Sequence, residues 1–94
     1  MIEIKKMGTT IEVEGVIKSI SDSQMLIDAI NQVSSSGSLI LKIKDSFSIP
    51  STVIGHLLKQ SDSAVNITVE VSEEILYELL DDLGLASRFN VRKV

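Results

Sequence analysis

The chain has 94 residues, a formal net charge of −4 and no cysteine, which limits it to one compact domain and excludes disulfides, thiolate metal sites and a cysteine nucleophile. Nine Lys and Arg stand against thirteen Asp and Glu, the wrong balance for a nucleic-acid binder, whose phosphate contacts need clustered cations. Aromatic residues are only 3% against 44% hydrophobic, so the core must be built from Ile, Leu and Val.

Ile2 and Ile4 alternate with Glu3 and Lys5, and after Gly8 the alternation resumes with Ile11 and Val13 against Glu12 and Glu14. A period of two with a short connection predicts two neighbouring strands, each with one buried and one wet face. Past Gly15, Ser21 and Gln24 have the spacing of a capping box. Met25, Leu26, Ala29, Ile30 and Val33 then recur at helical spacing up to the Ser34-Ser35-Ser36-Gly37 loop, predicting a first amphipathic helix.

Leu39, Ile40, Leu41 and Ile43, with Lys42 and Lys44 between them, predict a third, more central strand. Pro50 suits the first turn of a helix, where its missing N–H has no partner to lose. Val53, Ile54, Leu57 and Leu58 supply that second helix with its apolar stripe. Val65, Ile67, Val69 and Val71 alternate with polar residues as a fourth strand. Ser72 is expected to cap a third helix, with Glu73 and Glu74 in its first turn. Ile75, Leu76, Leu79, Leu80 and Leu83 are its expected buried face, and Gly84 and Leu85 its Schellman ending. Phe89, Asn90 and Val91 are expected to add a short closing strand. The reading is an α/β fold with a four- to five-stranded mixed sheet and helices mainly on one face.

Met1 to Met7 mixes charges with apolar residues, unlike a signal peptide, and no stretch approaches the roughly 20 apolar residues of a membrane span. A cytoplasmic protein without direct membrane insertion is expected. His56 is the only histidine, and the second helix turns it away from Ser51. Asp81 and Asp82 diverge as adjacent helix positions. The glycines are isolated, so there is no phosphate loop. Arg88, Arg92 and Lys93 form the one local basic patch. Nothing converges as acid, base and nucleophile, and neither enzyme activity, a metal nor a cofactor is expected.

The order of elements, Gly15 before a capped helix, the strand Leu39-Ile40-Leu41-Lys42-Ile43 and the segment Ile75 to Phe89 with its Leu83-Gly84-Leu85 ending resemble the STAS domain family of anti-sigma factor antagonists. The resemblance spans nearly the whole chain. It implies a regulatory protein-protein interaction module that partners an anti-sigma factor acting as a serine kinase. In such antagonists a serine in an Asp-Ser-Ser/Thr-Gly motif, at the start of the helix after the central strand, is phosphorylated. Ser51 falls on that position and Thr52 follows it, while Pro50 stands in place of the aspartate and Val53 in place of the glycine. Asp45-Ser46 copies two letters of the motif, but Pro50 would lie too deep in a helix begun there. Ser51 has two open roles, a helix cap worth about 1 kcal/mol or a regulated serine whose phosphate would meet the helix N-terminus. The alternative implied by the family is a constitutive STAS subunit of an ABC-type lipid-transport system. The docking surface is expected around Phe47, Ser51, Thr52, Gly55 and His56, with Phe47 either a partner anchor or a core residue.

Overall fold

In the computed structural model, which describes residues 2–94, the alternation at the start of the chain folds as an antiparallel hairpin of β1 (Glu3–Met7) and β2 (Thr10–Glu14). Strands β3 (Ser38–Lys44), β4 (Asn66–Val71) and β5 (Val91–Lys93) add in parallel, giving one mixed sheet in chain order. Helices α1 (Ile20–Ser34), α2 (Ser51–Asp62) and α3 (Glu74–Asp82) are the crossovers between successive parallel strands. The five-stranded α/β architecture expected from the patterning is present, with β4 starting at Asn66 instead of Val65 and β5 at Val91 instead of Phe89.

The period of two divides the central strands β2, β3 and β4 into two faces. Ile11, Val13, Leu39, Leu41, Ile43, Ile67, Val69 and Val71 share one face and are each at most 2% exposed, which is where the apolar area that drives folding is removed from water. The opposite face carries a rung that alternates in sign across all five strands, Lys5, Glu12, Lys42, Glu70 and Arg92. Lys42 Nζ lies 3.9 Å from Glu70 and Lys44 Nζ 3.2 Å from Glu12. Exposed pairs of this kind contribute about 0–1 kcal/mol each, so this face is suited to solvent and the three helices cover the other.

Two contacts fix how the helices are ordered. Lys6, on the core side of β1, donates to Gln32 of α1, and His56 of α2 bonds Asn31 on the other flank of α1. The helices therefore follow the strands across the sheet in sequence order, as right-handed crossovers require.

Four local expectations need correcting. The capping box of α1 is Ser19 with Asp22, not Ser21 with Gln24: the Asp22 N–H donates to Ser19 Oγ at 3.0 Å, and the Asp22 carboxylate accepts the Ser19 and Lys18 N–H groups, each at 3.4 Å. A carboxylate that takes two orphan donors begins the helix one half-turn earlier. Ser72 does not cap α3. Its hydroxyl accepts the Asp45 N–H at 3.0 Å instead, and Glu73 is the cap, with no side-chain bond.

The third correction concerns the buried face of α3, which reduces to Leu76 and Leu80, while Ile75, Leu79 and Leu83 are 61%, 37% and 53% exposed. The helix packs on β4 and β5 at the end of the sheet, without comparable contact to α2, so only a narrow stripe meets the core. Met25 of α1 is likewise exposed, because only the β1 edge lies beyond it. The ending of α3 is as expected. Gly84 takes φ +75, and its N–H and that of Leu85 reach the carbonyls of Asp81 and Leu80, both at 2.9 Å, the double bond of a Schellman motif.

The fourth correction is that Ser51 is not the cap of α2. Pro50 is, with φ −61, and no side chain caps the helix. Among the described residues no helix is long and apolar enough to cross a membrane.

Candidate docking surface

The loops that leave β2, β3 and β4 meet at one end of the sheet and are tied together there. The Gly15 N–H donates to the Lys44 carbonyl at 3.2 Å and the Ser72 N–H to that of Ile43 at 3.1 Å. Between them Ser46, only 1% exposed, accepts the Ile17 N–H at 3.3 Å and donates its own hydroxyl proton to the Ser48 carbonyl at 2.7 Å. Asp45 holds a left-handed φ of 65, which an Asp tolerates better than most residues, and its N–H is taken by Ser72. Thus the loop before α2 is anchored from both sides.

On this frame the next residue points outward. Phe47 is 52% exposed, which resolves its two readings: the buried aromatic is Phe89, at 0%, and Phe47 stands free. Ile20 and Val16, on the neighbouring loop and first turn of α1, are 90% and 37% exposed. Composition had not singled these two out, because an isolated aliphatic residue near a helix start carries no signal of exposure. Three exposed apolar residues thus lie on or next to the two loops that Ser46 joins at this end of the sheet, and exposed apolar residues gathered at one end of a fold are a mark of interaction.

Ser51 and Thr52 are exposed in the first turn of α2. The Pro50 carbonyl already accepts the Val53 and Ile54 N–H groups, at 3.0 and 3.1 Å, while the N–H groups of the first turn have no side-chain acceptor. One turn on, Gly55 is exposed, and a Cβ built there meets nothing within 4 Å. Nothing inside the described chain requires glycine at this helical position, where it costs about 0.5–1 kcal/mol relative to alanine.

His56 belongs to the other flank. It is half-buried and its Nε2 lies 2.7 Å from Asn31 Oδ1 of α1, so it ties two helices together. Burial, then the Lys59 charge, holds its pKa below the ordinary histidine value, and the ring is neutral at pH 7. Ser51 and Gly55, one turn apart, thus share an exposed face of α2, with Phe47 exposed on the loop that leads into it, while Thr52 is set toward α1 and His56 is turned away. The basic residues of the tail are separated: Arg88 pairs with Asp62 of α2, and Arg92 lies opposite Glu70 in the sheet. Asp81 and Asp82 are exposed. Among the described residues no group of three or more His, Asp or Glu could hold a metal.

No protein-family model matches the chain, and no curated protein matches it.

Proposed function

We propose that this chain is a STAS-type regulatory docking module, cytoplasmic and without enzyme activity, that resembles an anti-sigma factor antagonist and is switched by phosphorylation at Ser51. The observation that carries the reading is the side-chain-free N-terminus of α2, with Ser51 exposed in its first turn and Phe47 exposed on a loop pinned by Ser46. A phosphate on Ser51 would meet unpaired N–H groups and the positive end of the helix dipole. It would also add about −1.5 to −2 charge to a surface that presents an apolar anchor, enough to repel a partner that accepts the hydroxyl. Gly55, one turn away and without an internal reason to be glycine, leaves room for that partner's backbone. A serine kinase that is itself the anti-sigma factor fits this role.

Pro50 favours a second reading. It stands where the antagonists resembled carry aspartate, and removes a recognition carboxylate next to the acceptor serine. In that reading the same surface docks constitutively, as a STAS subunit on the ATPase of an ABC-type lipid-transport system. Intact-mass and fragment spectra of the protein isolated from its own cells separate the two. Phosphate on Ser51, with loss of partner binding in Ser51→Asp and not in Ser51→Ala, supports the switch. Unmodified Ser51 and equal binding by both variants support constitutive docking.

A further inference from the structure

We infer that the open edge of β1 pairs with the same edge of a second copy of this chain, antiparallel and centred on Ile4, so that the two sheets join edge to edge. The inference stands independently of Ser51. Hairpin geometry decides which backbone groups are free. The Ile40 N–H donates to the Thr9 carbonyl at 2.9 Å and the Gly15 N–H to that of Lys44 at 3.2 Å, so the odd-numbered residues of β2 turn their peptide groups toward β3. The even-numbered ones, Thr10, Glu12 and Glu14, exchange bonds with Met7, Lys5 and Glu3. Ile4 and Lys6, and Ile2 before them, therefore point their N–H and C=O groups away from the sheet. This is the longer of the two sheet edges, five residues against three in β5, and a row of free donors and acceptors is a template for pairing.

Charge selects both the occupant and its register. Only Ile2, Ile4 and Lys6 can bond across this edge, so a twofold axis within β1 lies at Ile4, at Lys6 or midway between two of the three. An axis between Ile4 and Lys6 sets Lys5 against Lys5, one at Lys6 sets Lys6 against Lys6, and one between Ile2 and Ile4 sets Glu3 against Glu3. Like charges directly opposite destabilise each of these. An axis at Ile4 instead pairs Ile4 with Ile4 and sets Glu3 of each copy against Lys5 of the other, in the closer, non-hydrogen-bonded positions. Within one chain these two charges lack such a partner. Among the described residues neither is in an ion pair, and Glu3 stands opposite Glu14 in the hairpin. The sign-alternating rung of Arg92, Glu70, Lys42 and Glu12 ends at Lys5, and Glu3 of the second copy continues it.

The helix side of the seam has room. Helix α1 lies over β1, β2 and β3, so it is three strand spacings, or about 14 Å, from its symmetry mate. Helices in contact are about 8–10 Å apart, so the two do not collide. Met25, 43% exposed and in the same groove as Ile4, is long enough to cover the paired Ile4 side chains. Lys6 is held to Gln32 of its own α1, which keeps its ammonium out of the seam.

The test is sedimentation velocity from about 10 μM to about 1 mM on wild type, Glu3→Lys, Lys5→Glu and an equimolar mixture of the two variants. Amide shifts of the wild type are followed over the same dilution. The expected result is a monomer–dimer equilibrium in wild type, with dilution shifts centred on residues 2–6. Each variant alone loses about tenfold or more in dimer affinity, because both cross-strand pairs become repulsive. The mixture recovers the dimer, because an all-basic edge then meets an all-acidic one. Glu3→Lys removes the like-charge pair with Glu14, so its melting temperature stays at or above that of wild type and its loss of dimer is not unfolding. A wild type that stays monomeric throughout, unchanged dimer affinity in Glu3→Lys, no recovery in the mixture, or dilution shifts centred on another element overturns the proposal.

Discussion

Ser46→Ala is the perturbation that couples stability to the docking surface most tightly. Its hydroxyl accepts from Ile17 and donates to Ser48, and alanine leaves nearly the same volume with neither bond. Ile17 is 1% exposed, so its N–H loses its acceptor without gaining water, a cost of about 1–3 kcal/mol. The Ser48 carbonyl belongs to an exposed residue and is rehydrated, so it adds little. With about 2 kcal/mol as the central value and 4–8 °C per kcal/mol in a domain of this size, the melting temperature should fall by about 8–16 °C. In urea the midpoint should drop with an unchanged slope, since the surface exposed on unfolding is the same. Hydrogen exchange should quicken in residues 15–19 and 45–49 before it does in the sheet. Ser48→Ala serves as a control and should stay within about 0.5 kcal/mol. A Ser46→Ala loss below about 0.5 kcal/mol, or protection unchanged in both loops, would refute the idea that this hydroxyl holds them together.

Ser34 is buried near the end of α1 with no partner for its hydroxyl, so Ser34→Ala should raise stability by about 0.5–1 kcal/mol in urea denaturation. Gly84→Ala places no atom in contact yet forces a side chain into φ +75, and should cost about 1–2 kcal/mol through backbone strain alone. His56 has a folded pKa below its unfolded one, so the unfolded chain binds the proton first. Its contribution is present above pH 6.5 and is lost as pH falls through the depressed folded value. A urea series across this range should show that decline, and His56→Gln, which keeps an amide donor for Asn31, should remove it. Gly55→Ala should stabilise the isolated protein by about 0.5–1 kcal/mol and weaken partner binding, a combination that affinity and melting measurements read together.

Periodicity in the sequence placed the sheet and the three crossovers, because strands with one wet face must alternate and the three central ones, β2, β3 and β4, do. Cap positions were less legible. Ser19-x-x-Asp22 and Ser21-x-x-Gln24 both fit a capping box, and spacing cannot reveal which side chain reaches two donors at once. Ser72 looks like a cap until Asp45 claims its hydroxyl, a contact across 27 positions of sequence. The apolar stripe of α3 was read as buried because helical phase identifies an apolar face but not the width of what it packs on. At the end of the sheet that width is two side chains, Leu76 and Leu80. At the docking surface Ser51 and Gly55 were identifiable from the strand-loop-helix order. The exposure of Phe47 was not, since it depends on Ser46 being pulled inward.

The central claim is that the chain works by docking through the surface around Phe47 and Ser51. It is tested most directly by a photo-crosslinking amino acid placed at position 47 and, for comparison, at Thr68 on the open face of the sheet, in the protein expressed in its own cells. The account predicts one dominant adduct from position 47, with an anti-sigma-type kinase, that weakens in Ser51→Asp and is absent from position 68. Adducts from position 68 alone, or the same adduct from both positions, would contradict it.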